Sequence, residues 1–372
     1  MKIQLTTATP LHIGNGRSLS PYTDYVVGDD GKVYLIDSQK LNEKLAVVGD
    51  EAIDEFVIQI MGSQRSREVY SLKTFLEKYK IDYRQIAKFT WETNASIRNL
   101  AIQETIKSVS KPYVPGSSIK GAIRTALLYF HRIEEGYSLE AAMKDIFGRR
   151  GVQRSPNGED IFGAYSKDVL KHLHVSDTTQ LPSDEVDLVK TVRYNLAQNE
   201  AAVPITKEVI PENKTLQFRL QSKAEHRHHL PPRFKYLIRD EGHSGERKIL
   251  NLVNQFYMQL LKKELAVLKQ FQVQQMEPVL RLYERLYRTA ERYEQKKNGA
   301  LIRLGSGKTF LDNTIISLFS REDREKLLNK MKVGGRHLFP KTRAVIDNGS
   351  LYESVLGWIY LDPVHEINGE WT

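Results

Sequence analysis

An α+β fold is predicted for this chain, because segments of alternating apolar and polar residues stand on both sides of stretches with helical apolar spacing. Its 372 residues suffice for more than one domain at roughly 100 to 200 residues each. Cysteine is absent, so the core must fold without disulfides, and thiolate metal sites and cysteine nucleophiles are excluded.

The elements follow in order. Lys2 to Thr9 alternates through Ile3, Leu5 and Thr7, and residues 32–37 read KVYLID, so both segments are predicted strands. From Asp50 to Lys80 the spacing becomes helical, with Ala52, Phe56 and Ile60 on one face and Leu72, Phe75, Leu76 and Tyr79 on another, which predicts a helical insertion. A helix is predicted after Pro115 and Gly116, with Ser117 or Ser118 as N-cap and Ile119, Ala122, Ile123, Ala126 and Leu127 as its apolar stripe. Strand character resumes at Leu173 to Val175, Val186 to Val192 and Leu216 to Leu220. Glu246 to Asn298 reads as a helical hairpin broken at Pro278. The Pro-, His- and Gly-rich run from His226 to Gly245 predicts an exposed connection, which divides the chain into domains 1–225 and 226–372.

Lysine and arginine total 55 against 46 acidic residues, a net charge of +9. The excess is clustered. No acid lies between Glu104 and Glu134, where Lys107, Lys111, Lys120, Arg124 and Arg132 fall, nor between Glu325 and Asp347, where Lys326, Lys330, Lys332, Arg336, Lys341 and Arg343 fall. Between Asn213 and Arg239, seven basic residues face only Glu225. Such blocks suit surfaces that track a phosphate backbone, the alternative being solubilising charge. No run approaches the ~18 apolar residues of a membrane span, and the first ten residues lack a secretory pattern, so a cytoplasmic protein without membrane contact is expected.

Three segments carry candidate chemistry. LHIGNG at 11–16 follows the first strand directly; Gly14 and Gly16 permit a tight turn with exposed amides, and His12 sits at the strand end. In YVPGSSIKGAIRT at 113–125, the amides from Gly116 through Ser117 and Ser118 and the positive helix end can hold an anion. Lys120 and Arg124 are four apart and project together, with Gly121 between them allowing close approach. The alternative is a capped structural helix with solvated cations.

IRLGSGKTF at 302–310 ends like a phosphate-binding P-loop, but Ile302 stands where that motif needs glycine. Gly305, Ser306, Gly307 and Lys308 are read instead as a glycine-rich loop suited to phosphate contact, the alternative being a hairpin turn. His226, His228 and His229 lack an accompanying carboxylate cluster and read as a solvated loop or RNA contact rather than a metal site. No metal or cofactor is expected.

Taken in order, LHIGNG, KVYLID, YVPGSSIKGAIRTAL at 113–127, VSD at 175–177, KEVIPENKTLQF at 207–218 and IRLGSGKTF make the sequence resemble the RAMP (repeat-associated mysterious) proteins of CRISPR systems. Within them it is similar to the terminal subunit of the type III-A Csm effector complex. About a hundred residues separate LHIGNG from Pro115, more than in the repeated backbone subunit. The resemblance implies two ferredoxin-like (RRM-like) domains with helical insertions, the first sheet and its PGSS loop facing the guide RNA. It implies crRNA and the other Csm subunits as partners, above all the backbone subunit, with a host nuclease as a further partner. The implied role is non-catalytic: to cap the backbone filament at the crRNA 3′ side and assist crRNA maturation in antiviral defence.

Two other functions stand beside it. A RAMP-fold endoribonuclease could use His12 as general acid or base, or Asp24, whose PYTDYVV context is similar to the cleavage region of the backbone RAMP but departs from its motif. A purely structural protein would bind only protein neighbours.

Overall fold

Strand β1 (Lys2–Thr7) buries Ile3, Leu5 and Thr7 and leaves the residues between them half-buried, which realises the alternation in its sequence. In the computed structural model, which describes residues 1–62, 71–92, 97, 100–148, 158–225, 230–332, 341–349 and 351–364, β1 is the middle of a five-stranded sheet. The order is β14 (Ala300–Arg303), β17 (Trp358–Pro363), β1, β13 (Thr215–Ser222) and β9 (Leu173–Val175), with every neighbouring pair antiparallel. Helix α4 (Gly116–Glu134) precedes β9, and α7 (Ser244–Phe271) with α8 (Glu277–Lys296) follows β13. The path β17-β1-β13-β9 with these helices is the ferredoxin-like arrangement, and β14 is an added edge strand.

A second sheet runs β16 (Tyr352–Val355), β15 (Thr342–Asp347), β10 (Asp187–Asn195), β12 (Ile205–Val209), β6 (Ile102–Thr105), β2 (Gly14–Leu19), with β11 (Glu200–Ala201) paired to β10. The insertion is a small layer of its own: strands β3 (Tyr25–Val27), β4 (Val33–Ile36) and β5 (Ala87–Trp91) with helices α1 (Ser38–Val48), α2 (Asp50–Gly62) and α3 (Leu72–Lys78). Val26, Leu41, Leu45, Ala52 and Phe75 form a core there apart from the main one. Asp37 caps α1 by accepting from the amides of Gln39 at 2.9 Å and Lys40 at 3.2 Å. The hairpin β7 (Lys107–Ser108) and β8 (Lys111–Pro112) and the helices α5 (Leu139–Phe147), α6 (Glu159–Phe162) and α9 (Arg321–Lys330) complete the described strands and α-helices.

Two expectations are corrected. A cut at 225/226 would pass through both large sheets, because β14 and β17 join β1 in the first, and β15 and β16 join β10 in the second. Among the strands after residue 225, β17 buries Trp358, Ile359 and Leu361 and has β1, from the amino-terminal half, as one of its two partners. The helical hairpin breaks at Gln272, whose φ of 47° ends α7, rather than at Pro278, which lies in the first turn of α8 where a missing N–H costs little. His226, His228 and His229 lie outside the described residues. No described helix is long and apolar enough to cross a membrane.

Candidate nucleic-acid interface

Strands β1 and β14 both pair antiparallel with β17, in registers that set Thr7 opposite Ile359 and Arg303 opposite Trp358. They therefore leave the same end of the sheet, and the two glycine loops that follow them meet. The amide of Ser306 donates to the carbonyl of His12 at 2.9 Å. Gly305 has φ +68°, and a Cβ there would lie 2.1 Å from that same carbonyl oxygen; one on Gly307 would lie 2.0 Å from the carbonyl oxygen of Leu356. Glycine is required at both positions by the approach of another backbone. Gly14, Asn15, Gly16 and Arg17 are exposed beside this junction, as is Ser306.

His12 itself is 3% exposed. Its Nδ1 is 2.7 Å from the carbonyl of Glu208, and since a carbonyl can only accept, Nδ1 carries the proton. Burial lowers its pKa to about 4, with a smaller push from the Lys207 ammonium. The imidazole is thus neutral at pH 7. The Glu208 side chain is fully buried, accepting from Lys107 Nζ at 2.6 Å and from the Thr105 amide at 3.0 Å, and burial pushes its carboxyl pKa up. Glu208 lies within the 207–218 motif, and no local pattern there shows that its carbonyl fixes the tautomer of His12. Lys308 is half-buried, and desolvation lowers its ammonium pKa.

The PGSS segment is not brought to this junction. It starts α4 beside Val175 and Ser176, with a Cβ on Gly116 falling 2.3 Å from the Val175 carbonyl oxygen. Val175 pairs with Leu220, whose amide reaches the Met1 carbonyl at 3.0 Å, so this point is level with the start of β1 rather than its end. The N-cap is Pro115, not Ser117 or Ser118. Asp177 supplies the cap from outside, its Oδ1 accepting from the Gly116 amide at 2.7 Å, so a carboxylate of the chain occupies the seat expected for a phosphate.

Lys120 and Arg124 are likewise engaged within the chain rather than solvated. Lys120 Nζ donates to the Leu173 carbonyl at 2.8 Å, and Arg124 pairs with Asp168 at 2.5 Å while its guanidinium lies 4.3 Å from the centre of the Phe162 ring. Desolvation pushes the Lys120 pKa down. Gly121 is exposed with open space around it. Beside the helix start, Lys2 and Arg219 line a cavity of about 560 Å3 with Ser176, Thr178 and Thr179, cations that sequence reasoning did not single out.

Asp24 closes a turn, its Oδ2 accepting from the Ser20 amide at 2.7 Å. Among the described residues, no group of three or more His, Asp or Glu side chains is placed to hold a metal ion. Arg343, in the last basic block, is buried against Glu264.

A family model described as the RAMP superfamily matches residues 4–310. A Methanocaldococcus jannaschii protein, "CRISPR system Cms protein Csm5", is 25% identical over 389 residues, covering 96% of this chain and 88% of the relative. A Streptococcus thermophilus protein of the same name is 27% identical over 247 residues, covering 60% and 64% of the two chains. Among solved structures, a chain of a Csm-crRNA-target RNA ternary complex of a type III-A CRISPR-Cas system matches with a TM-score of 0.72 at 23% identity, over 97% of this chain and all of that one. The crystal structure of T. onnurineus Csm5 matches with a TM-score of 0.64 at 21% identity, over 96% and 99% of the two chains. At these identities the structural matches establish the fold.

Proposed function

Because the chain belongs to the RAMP superfamily, we propose that it is a non-catalytic crRNA-binding subunit of a type III-A CRISPR effector complex. In this reading it caps the filament of backbone subunits at the crRNA 3′ side, assists crRNA maturation with a host nuclease, and works in the cytoplasm. Support comes from a relative named Csm5 that matches nearly the whole chain and from a matching chain in a Csm-crRNA-target RNA complex. The observation that carries the reading is the junction of two glycine loops from opposite ends of the chain, with the exposed run Gly14–Arg17 and Ser306 presented together.

Guide RNA in this role is held through phosphate and ribose, since a defence protein must accept any spacer. A footprint of about five phosphate contacts gives a slope of log affinity against log salt of roughly −3 to −4. The non-catalytic reading draws on Asp24, whose carboxylate is committed to a turn.

The test is to titrate the purified chain with crRNAs of several spacers, first alone and then assembled with its backbone subunit. Expected are spacer-independent binding, a salt slope in that range, and intact RNA after prolonged incubation. Discrete RNA products that vanish in His12→Ala or Asp24→Ala would establish the endoribonuclease instead, and negligible RNA affinity at physiological salt would leave a purely structural protein.

A further inference from the structure

We propose that His12 Nε2 accepts a hydrogen bond from one ribose 2′-hydroxyl of the bound strand, making His12 and Gly14 the place where this chain distinguishes RNA from DNA. The inference rests on the RNA-binding reading above and assigns a specific contact within it.

The tautomer carries the argument. Nδ1 is committed as a donor to the Glu208 carbonyl at 2.7 Å, so Nε2 is left with a lone pair and no proton. Among the described residues it has no hydrogen-bond partner. It faces Gly14: a Cβ placed on that glycine would lie 3.1 Å from Nε2. Gly14 is exposed, so no side chain from that position covers this nitrogen. The glycine is not explained by backbone conformation, because Gly14 is absent from the positive-φ residues whereas Gly16, two positions on, has φ +87°. Space over His12 is the explanation that remains.

The chemistry of the acceptor selects the ligand. A lone pair repels a phosphate oxygen and requires a donor. Base amino groups vary with spacer sequence, so a protein that accepts every spacer cannot rely on one. The 2′-hydroxyl is the donor that every ribonucleotide carries and every deoxyribonucleotide lacks. The lowered pKa of about 4 keeps the acceptor unprotonated throughout the neutral range.

The experiment is a set of polarisation titrations of the purified chain with a mixed-sequence single-stranded oligoribonucleotide, and with the same strand carrying one 2′-deoxy substitution at each position in turn. The wild-type chain should lose about fivefold in affinity at one position, the worth of one ordinary hydrogen bond. His12→Asn keeps a side-chain N–H for the Glu208 carbonyl but has nothing at the Nε2 position; it should bind the all-ribose strand about fivefold more weakly and be indifferent to deoxy substitution there. Gly14→Ala, which covers Nε2 without demanding a left-handed backbone, should behave alike and keeps the test open if His12→Asn fails to fold. RNA binding with equal tolerance of every 2′-deoxy substitution, or unchanged sensitivity in both variants, overturns this inference alone. Failure of the wild-type chain to bind the all-ribose strand overturns the RNA-binding reading as well.

Discussion

The amide of Ser306 donates to the carbonyl of His12 over 2.9 Å, so a loop from the carboxy-terminal half is tied by main chain to one from the amino terminus. This contact leaves no room for a side chain on Gly305, and it makes the geometry of the interface depend on glycines whose role is steric.

Gly305→Ala should therefore destabilise the protein by on the order of 3 kcal/mol, since it combines a φ of +68° with a Cβ 2.1 Å from the His12 carbonyl oxygen. Gly16→Ala shares the left-handed backbone, at φ +87°, but meets nothing within 4 Å, and should cost only about 1 kcal/mol. Urea denaturation of the two variants checks the difference; equal losses would mean that the loops do not pack as described.

Arg124 and Arg219 should separate stability from RNA affinity. Arg124→Ala removes the ion pair with Asp168 and the stacking on Phe162, and should lower stability by ~1–2 kcal/mol with little change in the salt dependence of binding. Arg219 is exposed beside the cavity at the start of α4, so Arg219→Ala should leave the melting temperature unchanged and reduce the salt slope in magnitude by about 0.7. A filter-binding series in salt gives the slopes. The reverse pattern would return the phosphate path to the outward face of α4.

Acid should weaken the fold through His12. Its pKa is about 4 in the folded chain against 6.5 when unperturbed, so as pH falls the unfolded chain takes up the proton first. The associated stability is complete above pH 6.5 and declines as pH falls towards 4, by ~2 kcal/mol at pH 5. Glu208, whose carboxyl is pushed up by burial, acts with the opposite sign, contributing stability that is lost as pH rises through its folded pKa. The difference between wild type and His12→Asn isolates the histidine: urea midpoints at pH 7.5 and 5 should diverge more in the wild type. Parallel pH dependence in the two proteins would remove the buried neutral imidazole from the account.

What was legible in the sequence is what local pattern encodes. The alternation of Lys2–Thr7 and the stripe of Ile119, Ala122, Ile123 and Ala126 place β1 and α4, and the strand Leu173–Val175 is found where its residues predict it. The ordered set of RAMP motifs led to the superfamily that matches residues 4–310. Pairing between distant segments was not legible. Nothing in the carboxy-terminal strand announces β1 as its neighbour, so the boundary at 225/226 ran across both sheets. Charge misled for the same reason. Lys120 and Arg124 have helical spacing for a phosphate, but their partners, Leu173 and Asp168, lie more than forty residues away. Asp177, which occupies the anion seat, belongs to the VSD motif, and its partner, the Gly116 amide, lies sixty-one residues away.

Arg343 and Glu264 offer the clearest energetic test of how α7 is joined to the second sheet. The guanidinium reaches both carboxylate oxygens, Nε to Oε2 at 2.6 Å and an outer nitrogen to Oε1 at 3.0 Å, with the two side chains 3% and 4% exposed. Such a pair gains little over apolar packing, because the cost of desolvating two ions offsets most of their attraction. Breaking it is another matter, since the remaining charge is then buried alone. Glu264→Leu should cost about 3–5 kcal/mol, and Arg343→Met a similar amount. Replacing both together, as Glu264→Leu with Arg343→Met, should cost far less than the sum, because neither charge survives to be stranded. Urea denaturation of the two single variants and the double variant closes the cycle. If the double replacement costs as much as the singles added together, the pair is not coupled, and the junction between α7 and β15 is held by its apolar contacts alone.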